Sequence, residues 1–166
     1  EHCYMYKQGV VTSSQDLVQA FDRIHRCFTV ETGLLRLGVP ARWVRLGTKM
    51  DRMGRLHVRT RWGLTEELIR LYGTIQGGKG SPFKWNAGED PFNTYWEHRQ
   101  RGAVVVPVSE QRCLHLTGKA LADDKWFIQA KVADMVDLLK HSAAFVYMNG
   151  CSVNVKPKKS SCQVVE

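Results

Sequence analysis

The sequence predicts an α+β fold built on an antiparallel sheet of the split-βαβ type, with helices on one face. Apolar residues recur at helical spacing from Val132 to Val146, before Asn149-Gly150, and form the clearest amphipathic helix of the chain. Leu56–Arg61 alternates apolar and polar side chains, as a half-buried strand does. Two further apolar segments flank Ala122–Asp124 and predict a hairpin with that tripeptide at its tip. The order of strand, helices, hairpin, helix and strand is that of an α+β domain.

The N-terminal half is expected to hold two helical stretches between short strands. A strand over Gly9–Ser14 precedes a helical stretch that continues to Leu37, where Gly38 and Pro40 end it. A second helix covers about Ala41–Met53. Its apolar side consists of Trp43, Leu46, Met50 and Met53. The strand after it turns at Trp62-Gly63 and returns antiparallel over Leu68–Tyr72.

The C-terminal half is expected to continue with a loop, a short helix and several strands. Glycines predict a loop over Gly73–Pro82, and Phe92–Trp96 predicts a short aromatic helix. The expected strands are Ala103–Val108, the hairpin arms Cys113–Leu121 and Trp126–Ala130, and two short strands, Val153–Val155 and Cys162–Val165, around the basic turn Lys156–Lys159.

Length and charge bound the class of protein. The 166 residues are enough to bury a core, and a single domain over residues 1–166 is expected. A hydrophobic content of 43% is typical of a folded chain rather than a disordered one. The 24 Lys and Arg outnumber 16 Asp and Glu, and the net charge of +8 fits a polyanionic partner such as nucleic acid. A solvated basic surface explains the same charge equally well.

The cysteines and the chain ends indicate a piece of an intracellular protein. The cysteines at positions 3, 27, 113, 151 and 162 are odd in number and include no C-x-x-C pair, which is typical of reduced thiols. No signal peptide opens the chain, and the apolar runs, such as Ala103–Val106, are too short to span a bilayer. Glu1 is not a methionine and Glu166 ends a strand-like segment, so we expect both ends to be cuts through a longer protein.

Three short segments predict a site for phosphate chemistry. They are Asp16–Asp22, Gln76–Pro82 and Ala122–Asp124. Carboxylates from separate segments hold Mg²⁺ well, because this hard cation prefers oxygen ligands and keeps waters and phosphate oxygens for the rest. Two such ions clamp the attacking and leaving oxygens of an in-line phosphoryl displacement. The combination predicts nucleotide polymerisation.

Each segment also has an ordinary structural explanation. Asp16 precedes an apolar helical stripe with Gln19 three residues later, which is the arrangement of a helix N-cap. Asp123 and Asp124 suit a hairpin turn, although adjacent carboxylates between apolar strands repel each other unless a cation is present. The glycines within Gln76–Pro82 suit a flexible loop as well as a surface that a nucleotide or template base approaches closely.

The order of the segments resembles the palm of a reverse transcriptase of the kind found in non-LTR (LINE-type) retrotransposons and group II introns. The family's motif D-x-x-x-A-F-D is matched by Asp16, Ala20, Phe21 and Asp22. Its remaining two motifs, Q-G-x-x-x-S-P and A-D-D, are matched at Gln76-Gly77 with Ser81-Pro82, and at Ala122–Asp124. Further similar segments between residues 10 and 161 are Leu37–Pro40, Trp43-Val44, Val58–Arg61, Gly63–Glu66, Asn149-Gly150, Val153-Asn154 and Lys158–Ser160.

The resemblance implies an RNA-directed DNA polymerase, a nucleotidyltransferase that uses two Mg²⁺ ions or Mn²⁺ in their place. Asp16 and Asp123 are then the catalytic, metal-binding carboxylates, Asp124 supports them as a third catalytic residue, and the backbone carbonyl of Leu17 faces a metal. The implied partners are an RNA template, a DNA primer, a dNTP and further domains of the parent protein, namely fingers, thumb and, in some arrangements, an endonuclease. No membrane partner is expected. The implied location is intracellular, and nuclear for a eukaryotic retrotransposon.

The resemblance also implies nucleotide-binding residues. Phe21 lies five residues after Asp16, where the family places an aromatic wall that excludes a ribose 2′-hydroxyl and selects deoxynucleotides. Lys158 or Lys159 approaches the pyrophosphate leaving group, although a solvated basic turn explains both lysines equally well. The remaining implied contacts are Gln76 and Gly77 to the nucleotide and template base, and Ser81 and Pro82 to nucleic acid.

Three departures from the family pattern keep a second hypothesis open. Val11–Gln15 is less apolar than the usual strand, Lys84 to Asp90 interrupt the helix expected after Pro82, and Lys125 replaces an apolar residue. The alternative is a decayed, catalytically inactive module that retains the fold and binds nucleic acid or a protein partner. The presence of all three carboxylates and of Phe21 favours the enzyme.

Overall fold

The computed structural model describes residues 9–74, 77–99, 104–109, 112–121, 124–156 and 158–165. The chain divides into two compact units. The sheet unit comprises Glu1–Val18 and Pro91–Glu166, and the helical unit comprises Gln19–Asp90. Because helices and antiparallel strands occur in both, the expected α+β class is confirmed.

The sheet unit is built on four antiparallel strands in the spatial order β10–β1–β9–β8. These strands are β1 (Val10–Gln15), β8 (Gly118–Leu121), β9 (Asp124–Gln129) and β10 (Ser161–Val165). A separate hairpin pairs β6 (Val104–Ser109) with β7 (Arg112–Leu116). The arm expected over Cys113–Leu121 is therefore divided at Thr117, with its first part paired to β6 and its second to β9.

One face of the central strands is buried. On this face of β1 the buried side chains are Val11, Ser13 and Gln15, and their register partners in β9 are Gln129, Phe127 and Lys125, which are also buried. Ser13 Oγ donates to the carbonyl oxygen of Ser161, and Gln15 Oε1 accepts from Ser142 Oγ at 2.7 Å. These hydrogen bonds explain how a strand with few apolar residues is accommodated in a core.

Two long helices supply the rest of this core. They are α4 (Ser81–Arg99) and α5 (Val132–Met148), numbered after the shorter helices of the helical unit. The buried cluster contains Phe92 and Trp96 from α4, Met135 and Leu138 from α5, and Val11 and Phe127 from the sheet. The Phe92 ring centroid lies 6.5 Å from that of Phe127 and 5.4 Å from Lys125 Nζ, so the lysine is buried beside an aromatic face.

Helix α4 is longer than the sequence predicts. The helix expected over Phe92–Trp96 is present, but it is part of one helix that spans Ser81–Arg99. The interruption expected at Lys84 to Asp90 was therefore wrong, and Ser81 and Pro82, expected at the end of a loop, are helical. Pro82 lies in its first turn, where an amide hydrogen needs no helical partner. Gly88 is explained by packing, because a Cβ there would lie 2.8 Å from Thr29 Cγ2.

The helical unit opens with an interrupted helix. It contains α1 (Ala20–Arg23), a π-helical segment (Arg26–Glu31) and α2 (Thr32–Arg36). The expected continuous helix was wrong at Ile24, whose ψ of 134° is extended. Phe28, which follows Ile24 at helical spacing in the sequence, is exposed. The buried Arg26 side chain bonds to distant carbonyls, and these tertiary contacts override the helical spacing.

Helix α3 (Ala41–Met53) has the predicted bounds. Val44 and Thr48 are its buried residues, on the side that packs towards the π-helical segment and α2. The apolar side identified in the sequence is exposed, and it consists of Trp43, Leu46, Met50 and Met53.

Four short strands follow α3. β2 (Arg55–Leu56) pairs antiparallel with β5 (Leu68–Ile69), as expected for the returning segment. β3 (Arg59–Thr60) pairs with β4 (Gly63–Leu64), so the single strand expected over Leu56–Arg61 is two shorter ones. Among the described residues, no helix is long and apolar enough to cross a membrane. Among the cysteines whose side chains the structure describes, Cys27, Cys151 and Cys162 form no disulfide bond.

Candidate active site

Asp16 lies where β1 ends, beside the start of β9. The register of these strands pairs Gln15 with Lys125, so the next positions along are Asp16 and Asp124. Side chains alternate between the two faces of a strand, so Asp16 lies on the face of β1 that is directed away from the core. Asp124 lies on the same, exposed face of β9 as Trp126. The sheet therefore brings Asp16 and Asp124, which are far apart in the sequence, to the same end of the two central strands, on the solvent-facing side.

The segment before β10 holds Asp16 in place. Asn154 Nδ2 donates to Asp16 Oδ2 at 2.8 Å, and Lys159 Nζ lies 3.8 Å from the same oxygen. The Asp16 amide donates to Ser160 Oγ at 3.1 Å, and its carbonyl accepts from the Asn154 amide at 2.8 Å. In the described part of the chain both side-chain contacts fall on Oδ2, which leaves Oδ1 for a further ligand.

The N-cap interpretation of Asp16 was wrong. Helix α1 begins at Ala20 with Gln19 at its N-cap, and no side chain caps it. Gln19 adopts a left-handed conformation with φ of 50°, which turns the chain between β1 and the helix. Asp16 thus belongs to the strand end, and its side chain remains 22% exposed.

Two predicted site residues lie outside the described residues. They are Asp123, with its neighbour Ala122, and Gln76, which adjoins Ile75. The described residues contain no group of three His, Cys, Asp or Glu side chains close enough to hold a metal. The two candidate metal ligands that the structure describes, Asp16 and Asp124, are carboxylates accessible to solvent. Carboxylate oxygens are ligands that suit Mg²⁺.

Leu17 and Lys159 both lie next to Asp16. Leu17 forms an isolated antiparallel bridge with Val153, and its side chain is buried. Lys158 has a positive φ of 67°, and the Lys159 amide donates to the carbonyl of Lys156 at 3.1 Å. The ammonium group of Lys159 is directed towards the Asp16 carboxylate.

The remaining predicted contacts belong to the helical unit. Phe21 is half-buried, with its ring centroid 5.4 Å from that of the buried Trp85. Gly77 has a φ of 79°, and a Cβ there would meet no atom within 4 Å. Ser81 is buried at the start of α4, whereas Pro82 is exposed.

A buried arginine, which the sequence did not single out, fixes the loop before Gln76. Arg26 donates from Nε to the Gly73 carbonyl and from its terminal nitrogens to three further carbonyls, at 2.9–3.1 Å, those of Asp51, Arg70 and Tyr72. Burial lowers the pKa of the Arg26 guanidinium, Asp51 opposes this, and Arg70 adds to it. The side chain nevertheless stays charged, because arginine does not lose its proton in proteins.

The same loop leaves no room for a side chain at Gly73. A Cβ on Gly73 would lie 2.4 Å from the carbonyl oxygen of Asp22, and the φ of Gly73 is 76°. The Thr74 amide donates to the Phe21 carbonyl at 2.7 Å. Arg70 pairs with the Asp22 carboxylate. The second half of the D-x-x-x-A-F-D motif is thereby joined to the residues that lead into the glycine-rich segment.

The sequence did not indicate the hydrogen bonds made by three residues, Asn154, Ser160 and Arg26. Asn154 and Ser160 stood within segments similar to the family, but nothing in their spacing indicated a bond to Asp16. Arg26 lies within a stretch of apparent helical periodicity, where an arginine is ordinarily a surface residue.

No protein-family model matches the sequence, and no curated protein sequence matches it. Solved structures match its fold. Apo telomerase from Candida tropicalis, truncated from its C-terminal domain, is similar with a TM-score of 0.65 and 14% identity, over 99% of this chain and 32% of that chain. Telomerase from Candida albicans in complex with a TWJ fragment of telomeric RNA gives 0.65 and 12%, over 99% and 29%. The corresponding RNA complex from C. tropicalis gives 0.64 and 12%, over 96% and 26%.

The fold is therefore reverse-transcriptase-like, since telomerase is a reverse-transcriptase-related enzyme. Identities of 12–14% show a likeness of fold alone. The chain spans between 26% and 32% of the length of these telomerase chains. The narrower expectation of a LINE-type or group II intron origin stays a prediction from the sequence motifs.

Proposed function

We propose that this chain is the palm of an RNA-directed DNA polymerase of retrotransposon type, which joins a dNTP to the 3′-hydroxyl of a primer. The observation that carries the proposal is the placement of Asp16 and Asp124 at neighbouring positions, at the same end of the central strands β1 and β9. The strand order β10–β1–β9–β8, with helices before β8 and after β9, adds support as a split-βαβ arrangement. The retrotransposon origin rests on the sequence resemblance.

In this proposal the carboxylates hold two Mg²⁺ ions. Asp16 and Asp123 are the main ligands, Asp124 supports them, and the Leu17 carbonyl is a further oxygen donor. When bound, the ions supply charge stabilisation at the attacking and leaving oxygens. Asn154 keeps Asp16 Oδ2 engaged, so Oδ1 is the oxygen available for a metal. Mn²⁺ has the same preference for oxygen ligands and would be a substitute.

Other residues of the chain would bind and orient the nucleotide. Lys159, which is exposed beside Asp16, would neutralise the pyrophosphate leaving group. Phe21 would lie beneath the deoxyribose. The open backbone at Gly77, with Gln76 before it, would border the base, and Pro82 with Ser81 would border the nucleic acid.

The proposed partners are an RNA template, a DNA primer, a dNTP and further domains that hold the duplex. Two of the Candida telomerase structures contain a TWJ fragment of telomeric RNA, which supports an RNA partner for this chain as well. A nuclear location would follow for a eukaryotic element.

The test is RNA-templated primer extension by a protein that joins this chain to fingers and thumb segments. We expect Asp16→Asn and Asp123→Asn each to lower the extension rate by ~100-fold or more, because each removes a charge that holds Mg²⁺. Binding of the primer–template duplex should hardly change, since phosphate contacts come from Lys and Arg. Glu97→Gln, an exposed carboxylate of α4, is the matched control.

Retained extension by the Asp16 or Asp123 variant would reject the metal-site assignment. No extension by the unaltered protein, with duplex binding intact, would instead favour the catalytically inactive module.

A further inference from the structure

Residues 41–62 carry most of the chain's excess charge. Seven Lys and Arg stand against one Asp in this stretch, so +6 of the net +8 lies in it. The stretch includes α3, β2, β3 and the turn that leads to β4, and it belongs to the helical unit. None of the residues proposed for the active site lies within residues 41–62, so that proposal does not account for this charge.

Two tryptophans of the same stretch are exposed. Trp43 is 55% exposed and Trp62 is 81% exposed. Each has an arginine over its ring: Arg42 Cζ lies 5.5 Å from the Trp43 centroid, and Arg61 Cζ lies 3.9 Å from the Trp62 centroid. An arginine covers one face of an indole, and the exposed fraction shows that much of each ring remains accessible.

The turn between β3 and β4 holds Trp62 outward. Thr60 Oγ1 donates to the Gly63 carbonyl at 3.0 Å and accepts from the Trp62 amide at 3.2 Å. Gly63 has a φ of 125°, which other residues adopt with strain. In α3, Val44 and Thr48 already supply the buried contacts, so Trp43 is exposed by the orientation of the helix. Both rings are thus presented by defined local structure.

We propose that residues 41–62 form a surface, the Arg-Trp surface, that binds single-stranded nucleic acid. Bases would stack on Trp43 and Trp62, and the basic side chains would neutralise phosphates. Accessible aromatic faces favour unpaired bases, because the bases of a duplex stack on each other. The concentration of positive charge favours a polyanion over a protein partner. This binding goes beyond the proposed polymerase activity, since it requires neither Mg²⁺ nor dNTP.

The test is fluorescence anisotropy of the 166-residue chain with labelled single-stranded RNA and DNA of one mixed sequence, about 16 nucleotides long, over a series of KCl concentrations. Trp43→Ala with Trp62→Ala should raise Kd for both strands by about tenfold or more. Arg42→Gln with Arg61→Gln should weaken binding and lower the slope of log K against log salt by about 1.4, for two lost phosphate contacts.

The matched control is Tyr147→Ala with Lys140→Gln on α5. Tyr147 is as exposed as Trp62, at 81%, and the control removes an aromatic ring and a positive charge from the sheet unit. Its Kd should stay close to that of the unaltered chain. Circular dichroism should show the same helix content in all variants, because the substituted side chains are exposed.

Further probes separate the alternatives. An equal loss of binding to inorganic polyphosphate and to oligonucleotides in the tryptophan variant would overturn the stacking of bases. Tighter binding of a duplex than of a single strand would overturn the choice of ligand. So would a variant effect confined to vesicles of anionic phospholipid. An unchanged Kd in both surface variants would overturn the proposal itself. Failure of the polymerase proposal appears separately, as no primer extension by the unaltered protein joined to fingers and thumb segments, and leaves these titrations unaffected.

Discussion

Within the D-x-x-x-A-F-D motif, each residue has its own physical role. Asp16 ends β1 and bonds to Asn154, and Gln19 turns the chain in a left-handed conformation. Ala20 is buried, where a larger side chain would have to displace its neighbours. Phe21 packs beside Trp85, and Asp22 pairs with Arg70. The spacing of the motif therefore combines a strand end, a turn and the first turn of a helix.

Phe21 has two possible roles, selection of the sugar and ordinary packing, and a substitution at this position distinguishes them. In the protein completed with fingers and thumb, Phe21→Val should raise ribonucleotide incorporation relative to deoxynucleotide incorporation, since it removes a ring that leaves no room for a 2′-hydroxyl. Competing dNTP and rNTP extension assays measure this ratio. If Phe21 only packs against Trp85, the free energy of unfolding should fall by about 2–4 kcal/mol while the ratio stays the same.

Phe28→Val is the control for the Phe21 substitution. Phe28 has the same side chain in the neighbouring π-helical segment, but it is exposed. Neither the sugar ratio nor the stability should move appreciably in this variant. A similar rise in ribonucleotide use after Phe28→Val would show that the effect at Phe21 is not specific to its position.

Between elements, a buried hydrogen bond links β1 to α5. Ser142 is fully buried and donates to Gln15 Oε1 at 2.7 Å, on the buried face of the strand that ends at Asp16. A buried acceptor that loses its donor carries the full cost of desolvation. The bond therefore positions the strand that carries the proposed metal ligand.

Ser142→Ala should lower the free energy of unfolding by about 1–2 kcal/mol. The loss of a donor to a buried acceptor costs about 1–3 kcal/mol, and alanine regains roughly 0.5 kcal/mol of helix propensity. Urea denaturation followed by circular dichroism measures the change. Ala144→Ser, at an exposed position of the same helix, isolates the propensity effect and should destabilise by about 0.5 kcal/mol. Equal stability of Ser142→Ala and the unaltered chain would show that the bond contributes nothing to folding.

The predictability of each element follows from where its contacts lie. The bounds of α3 and the extent of α5 follow from local signals, namely Pro40 before the first and Asn149-Gly150 after the second. The N-terminal half of helix α4 was missed because Gly88 and Pro91 normally end helices, whereas here Gly88 fits against Thr29. The exposure of the apolar side of α3 could not be predicted, since apolar spacing identifies a stripe but not whether the stripe meets a core or solvent.

At the scale of the whole molecule, the candidate site was partly predictable. The motif order singled out Asp16 and the Ala122–Asp124 hairpin, and the register of β1 with β9 brings Asp16 and Asp124 together. Asn154 and Ser160 could not be found, because their bonds to Asp16 join segments that are distant in sequence. No periodicity records such contacts. The contacts of Arg26 could not be predicted for the same reason, because the carbonyls that accept its hydrogen bonds lie between Asp51 and Gly73 in the sequence.

The two units should respond differently to the loss of the Arg26 contacts. Arg26→Lys keeps the charge but cannot reach four carbonyls, because lysine has a single ammonium in place of a planar fork. Carbonyls left without donors cost about 1–3 kcal/mol each, so we expect a loss of about 2–4 kcal/mol in the stability of the helical unit. Hydrogen exchange should accelerate at the amides of Gly73 and Thr74, which bond to Ile24 and Phe21.

Hydrogen exchange in β1 and β9 then shows whether this opening is local. Contacts concentrate within each unit, so opening of the helical unit should precede global unfolding and leave the strand amides comparatively protected. Arg36→Lys is the control, because Arg36 forms a surface ion pair with Asp90 at 3.1 Å, and such pairs contribute about 0–1 kcal/mol. Equal acceleration in β1, β9 and the Gly73 loop would mean that the two units unfold as one. In that case Arg26 would act on the stability of the whole chain, Asp16 included, rather than on the loop before Gln76 alone.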